Sequence, residues 1–240
     1  MRKIFIVFIL NVLLIGRLFA QGLEVHGALS APISDFGNKS LGGAATGFGF
    51  GLKYMIPLNA NTVYFNLGSD FYYHDINQNL KDANSNLTYY KYMNVPITTG
   101  FTFHLPVNNK ISLFGETNIG LNVGMRTKAS GIVNDDSGNE YTLDETYSPA
   151  VALSYKIGAG IIFDFISIGA YYNNMGSVKN KFTDAYSDGS TSTGTCDAVK
   201  ISTFDIVLGF RLFKSDNKHQ KSTESTIQDS NSSSGHGGRR

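Results

Sequence analysis

The sequence predicts an all-β fold: an eight-stranded antiparallel β-barrel that crosses a membrane, with ten strands as the alternative. Three observations lead there. Apolar and polar residues alternate with period two over stretches of more than ten residues, longer than the five or six usual in a soluble sandwich. The connections between these stretches alternate strictly between short and long. The polar face of the stretches is rich in Gly and Asn, where a sheet facing water usually carries Lys, Glu and Thr.

The elements follow in order. Met1-Arg2-Lys3 is a basic start, Ile4 to Ile15 is apolar but for Asn11, and Leu18-Phe19-Ala20 ends on a small residue. This is the layout of a signal peptide over 1–20, with Gln21 as the first mature residue. Eight strands are expected at 23–30, 45–56, 62–74, 88–105, 111–127, 150–163, 166–176 and 200–213. Ile201 to Phe213 alternates most clearly: Phe204, Ile206, Leu208, Phe210 and Leu212 against Thr203, Asp205, Val207, Gly209 and Arg211. Pro57–Asn61, Pro106–Lys110 and Asp164-Phe165 read as tight turns. Ala31–Ala44, Asp75–Leu87, Lys128–Pro149 and Ser177–Val199 read as long polar loops. Short turns on one side and long loops on the other are the mark of an outer-membrane barrel, so the cell outer membrane is the expected location. The barrel should occupy 21–213, and the polar stretch 214–240 should be a disordered tail on the periplasmic side.

Composition narrows the function. The chain has 240 residues, one cysteine and a net charge of +1. One cysteine forms no internal disulfide, and near-zero charge argues against nucleic acid as a partner. Outer-membrane lipid is the partner the fold demands. No cofactor is called for.

By parity, Gly and Asn face inward and the apolar residues face lipid, because an eight-stranded barrel has little interior room. The inward face also carries Glu24, Asp70, Glu116 and Asp205 with Lys53, Arg126, Lys156 and Arg211. These eight are expected to pair as an interior charge network, since an unpaired charge in a confined lumen is costly. Tyr64, Tyr72, Tyr92 and Phe114 add bulk. Aromatic residues near strand ends suggest interfacial girdles: Phe71, Tyr73, Tyr89, Tyr90, Phe101, Phe103, Phe163, Phe165, Tyr171, Tyr172, Phe204, Phe210 and Phe213.

Some motifs suggest other chemistry. Gly47-Phe48-Gly49-Phe50-Gly51 lies within a strand, where a phosphate loop would have to open a helix. Asn134 to Glu140 is an oxygen-rich turn without EF-hand spacing. His26, His74 and His104 face inward at different heights, which does not suit a zinc site. Ser69 faces outward and His74 inward, which separates a possible Ser–His pair; Asp70 and Asp75 complete that candidate set. Cys196 reads as a free, non-catalytic thiol.

The segment Tyr89-Tyr90-Lys91-Tyr92-Met93-Asn94-Val95-Pro96-Ile97 resembles the aromatic-then-Ile-Pro-Leu strand of the outer-membrane β-barrel domain family of Bacteroidetes. That family includes PorT-like proteins and, more distantly, the OmpA-type barrel. The resemblance spans about 23 to 213 and implies a barrel of eight to ten strands without catalytic residues. One departure is that the aromatic strand end at Phe213 is internal, followed by an extension too short and polar for a periplasmic domain. Three functions follow: a structural or surface-interaction barrel, in one version part of an envelope or secretion complex; a narrow porin-like solute channel; or an outer-leaflet lipid-modifying enzyme. The first is preferred. A soluble lipocalin-like binder is the reading without a membrane.

Overall fold

A computed structural model describes residues 22–59, 62–83, 87–134 and 140–212. The signal-peptide segment, Phe213 and the tail lie outside them. Thirteen strands form, in order β1 Leu23–Ile33, β2 Gly47–Asn59, β3 Val63–His74, β4 Leu87–Thr88, β5 Tyr92–Pro106, β6 Ile111–Arg126, β7 Ala129–Asn134, β8 Glu140–Tyr147, β9 Ala150–Phe163, β10 Ile166–Val178, β11 Lys181–Tyr186, β12 Thr191–Thr195 and β13 Val199–Arg211. Among the described residues one short helix, α1, covers Gln78–Ala83, and a 3-10 turn covers Ser34–Phe36.

Eight of the strands close into a barrel in the order β1-β13-β10-β9-β6-β5-β3-β2. Every neighbouring pair is antiparallel, and β1 seals the ring by pairing with both β2 and β13. The tight turns fall at one end. The tightest, Asp164-Phe165, places Asp164 at φ 55°, the left-handed region that Asp tolerates better than most residues.

The period-two pattern works as expected, with burial inverted relative to a soluble protein. Glu24, Lys53, Asp70, Glu116, Lys156 and Asp205 are all buried, together with Asn66, Asn94, Asn122 and Asn173. The alternating residues point out: Leu29 is 62% exposed, Val151 65% and Leu153 72%. Aromatic pairs Phe48–Tyr73 and Phe50–Phe71 stack across strands on this outer face, at 5.4 and 5.2 Å. A continuous apolar belt around a polar core is stable only with hydrocarbon outside, and a closed barrel leaves no unpaired edge within it. The chain is therefore an outer-membrane β-barrel.

The expectation for the long loops needs correction. The two longest, expected as irregular, form the hairpins β7–β8 and β11–β12. With β4 they build a second sheet in the order β12-β11-β8-β7-β4. Each of its strands adjoins in sequence one of β13, β10, β9, β6 and β5, and those barrel strands lie in the same order. Five barrel strands thus continue past the membrane as one wall, while β1, β2 and β3 end at the rim.

The loop after β1 is not purely solvated either. Its 3-10 turn drops Phe36 into the outer mouth, where the ring is fully buried. Phe36 meets His74 and Tyr92 edge-on at 5.0 and 4.9 Å, and Ala44, Ile76, Met175, Val178, Val199 and Ile201 complete the apolar plug. The Tyr92 hydroxyl donates to the Gly42 carbonyl at 2.7 Å, and an isolated bridge between Ala44 and Ile76 ties the loops together.

Candidate functional site: the charged lumen and the outer wall

Below the plug the lumen is filled by polar side chains. Lys53 on β2 lies between Glu24 on β1, at 2.9 Å, and Glu116 on β6, at 2.8 Å. Arg211 on β13 reaches the second oxygen of Glu24 at 3.2 Å and contacts His104 at 3.1 Å. Lys156 on β9 pairs with Asp70 on β3 at 3.0 Å. His26 holds the other Asp70 oxygen at 2.6 Å, and its second ring nitrogen lies 4.0 Å from Glu24. His26 thereby links the two clusters. Glu116 also accepts from the Asn118 amide at 2.7 Å and, at 3.4 Å each, from the hydroxyls of Tyr171 and Thr102.

Glycine makes room for this packing. On β2, Gly49 lies opposite Tyr72 and Gly51 opposite Asp70. A Cβ on Gly49 would come within 2.7 Å of the Tyr72 ring, and one on Gly47 within 2.7 Å of the His74 ring. The Gly47–Gly51 segment is a strand whose missing side chains admit interior groups.

Glu24, Lys53, Asp70, Glu116, Lys156 and Arg211 are brought together; Arg126 and Asp205 are not. Arg126 makes no ion pair among the described residues. It sits at the outer rim with its guanidinium over the rings of Tyr90, Tyr92 and Tyr147, at 4.8, 5.3 and 5.6 Å. Parity placed it inward, but its height on β6 puts it above the carboxylates, among tyrosines. Asp205 is fully buried, forms no ion pair among the described residues and is bound by the Asn173 amide. Asn173 also donates to the Tyr72 hydroxyl at 3.0 Å.

The girdle assignment needs one correction: Tyr171 is 3% exposed and points into the lumen, and Tyr89 and Tyr90 pack against the plug. The three histidines lie apart in separate contacts. His74 bonds Ser30 at 3.0 Å, fully buried beneath Phe36, while Ser69 faces lipid. No Ser69–His74 pair exists for acid–base work. Most of the Asn134–Glu140 turn lies outside the described residues. Cys196 is free and partly buried, and burial pushes its thiol above the usual range.

The outer wall was not foreseen. Tyr147 touches the inward-facing Arg126, so its face of the wall continues the lumen. Directly opposed residues share a face: Phe182 faces Tyr147, Asp184 faces Glu145 and Tyr186 faces Leu143. The face that continues the lumen is therefore aromatic, with two carboxylates among the rings. The other face carries Thr146, Lys181, Thr183 and Ala185.

No family model and no curated protein matches the sequence. Solved structures do. A major outer membrane protein from Thermus thermophilus is 10% identical, with a TM-score of 0.44, covering 79% of this chain and 98% of that one. Neisserial surface protein A is 11% identical, with a TM-score of 0.42, covering 80% of this chain and 96% of that one. Ail, the attachment invasion locus protein of Yersinia pestis, is 17% identical, with a TM-score of 0.37, covering 79% and 96%.

Proposed function

We propose that this barrel is a non-enzymatic surface-interaction protein: a sealed anchor in the outer membrane that displays an outer sheet to other molecules. The observation that carries this reading is the joint arrangement of lumen and wall. Five barrel strands are prolonged into one outer sheet, while the lumen beneath is closed by the Phe36 plug and by the ion pairs of Lys53 and Lys156. A conduit needs the opposite, an open lumen. The half-exposed inward face of the wall, with Tyr147, Phe182 and Tyr186, suits contact with a partner, since aromatic residues are enriched at the buried centres of interfaces. Other envelope proteins are the partners this favours. A PorT-like place in an envelope or secretion complex is the specific version that the sequence resemblance suggests.

The test is a crosslinked pull-down from outer membranes, comparing the intact protein with a variant in which 181–195 is replaced by a short turn. The expected result is a defined set of envelope partners that disappears in the variant. Identical capture by both would sink the role given to the wall.

A further inference from the structure

We propose that the outer sheet contains a pH-sensitive seam: its two hairpins are held together more tightly along β8–β11 in mild acid than near neutral pH. This ladder, extended at its ends by the Ser148–Lys181 and Thr142–Ser187 hydrogen bonds, is the described junction between hairpin β7–β8 and hairpin β11–β12. It is short, running from the pair Phe182–Tyr147 to the pair Tyr186–Leu143. Its middle inward-facing pair sets Asp184 directly opposite Glu145. Like charges in that position repel and loosen a sheet.

The surroundings make this pair costly when ionised. It lies between two aromatic or apolar pairs, Tyr147–Phe182 below and Leu143–Tyr186 above. One Asp184 oxygen is shielded from water and receives no hydrogen bond. No lysine, arginine or histidine among the described residues forms an ion pair with either carboxylate. Lys128 is spent on Asp144, on the other face, at 2.9 Å. The strands alongside bring no charge to the pair: β7 places Ala129 opposite Glu145, and β12 places Ser192 opposite Asp184. Arg126 rises from β6 beneath Tyr147, held over its three rings. The remaining titratable groups nearby are Tyr141, Tyr147 and Tyr186 on the two strands, Tyr90 at the rim, and Cys196 and Asp197 after β12.

Burial holds the Glu145 carboxyl above its ordinary value; the charge of Asp184 adds to this, against a hydrogen bond from Tyr147 and the attraction of Arg126. Burial raises Asp184 likewise. A proton on either carboxyl removes the repulsion across the seam. In the parted hairpins both groups return to ordinary carboxylate values of about 4. The closed seam therefore binds protons more tightly. Its extra stability is fully present below the ordinary range and is lost as pH rises through the raised values.

Hydrogen exchange of the intact protein in lipid nanodiscs tests this. Amide protection along 141–147 and 181–186, corrected for intrinsic exchange rates, should be roughly 1.5- to 5-fold greater at pH 4.5 than at pH 7.5. Barrel amides should not change in step. In the double variant Glu145→Gln, Asp184→Asn the seam should be protected equally at both pH values, and Glu145→Gln alone should show a reduced dependence. Equal protection at both pH values in the native protein would overturn the proposal, and so would a dependence that survives in the double variant. The native comparison requires no variant to fold.

Discussion

Lys53 has two carboxylates as its ion-pair partners, so its removal leaves Glu24 and Glu116 facing a gap in the lumen. Lys53→Met should destabilise the barrel by roughly 3–5 kcal/mol, the usual cost of stranding buried charge. Urea unfolding in lipid vesicles measures it. Arg126→Ala should be milder. No carboxylate is stranded, and the loss is a cation over rings, about 0.5–2 kcal/mol. An Arg126 loss equal to that of Lys53 would show a hidden ion partner. The glycines divide in the same way. Gly49→Ala places a Cβ 2.7 Å from the Tyr72 ring and should cost roughly 1–3 kcal/mol. Gly115→Ala meets nothing within 4 Å and should stay within about 0.5 kcal/mol of the native protein. The composition of the charged lumen was legible in the sequence because parity assigns a face to every strand residue. Its pairing was not. Lys53 and Glu116 are 63 residues apart, and Arg211 and Glu24 are 187 apart. Their relative heights depend on stagger around a closed ring, which no local pattern encodes. That is why Arg126, inward by parity, sits above the network it was expected to join.

The outer elements respond to acid in opposite directions. Asp75, just past β3, accepts from Lys81 of α1 at 2.7 Å and from the Ile76 amide at 2.8 Å. Burial pushes its carboxyl up, but these two bonds outweigh burial and hold it below its ordinary value. A depressed carboxyl contributes stability above the ordinary range and loses it as pH falls through the depressed value. Acid should therefore loosen α1 while tightening the β8–β11 seam. The seam should respond between pH 7.5 and 4.5, whereas α1 should loosen only below about pH 4, so the exchange series has to extend there; protection of α1 that rises over that last step would refute the Asp75 anchor. These elements were missed because their alternation was present but carried by polar residues. Phe182, Asp184 and Tyr186 alternate with Lys181, Thr183 and Ala185. A wall wetted on one face has weaker contrast than a strand in lipid, and it sat inside segments rich in Asp, Ser and Gly. The Tyr and Thr content of Glu140–Tyr147 was the available signal. Phe36 gave another: a lone Phe in a polar loop needs somewhere to bury.

At the scale of the molecule, the barrel was legible because hydrocarbon imposes a stronger rule than water does: the lipid-facing positions are predominantly apolar, and the backbone groups pair around a closed ring. Those constraints reach the sequence as long alternation and asymmetric connections, which survive whatever the loops do. The same closure decides permeability. Two barriers lie in series, the apolar plug around Phe36 and, deeper, the ion-paired layer around Lys53, Lys156 and Arg211. The native protein should show no steady conductance in planar bilayers. Phe36→Ala removes a fully buried ring and should release the plug, at a local cost of roughly 3–5 kcal/mol. It should still not open the lumen. The charged layer is anchored on β1, β2, β3, β6, β9 and β13, none of which depends on the loop that carries Phe36. Recordings of both proteins in the same bilayer separate the cases. A large steady current from the native chain would make it a channel, and a current from Phe36→Ala alone would make the plug a gate and the ion pairs a lining.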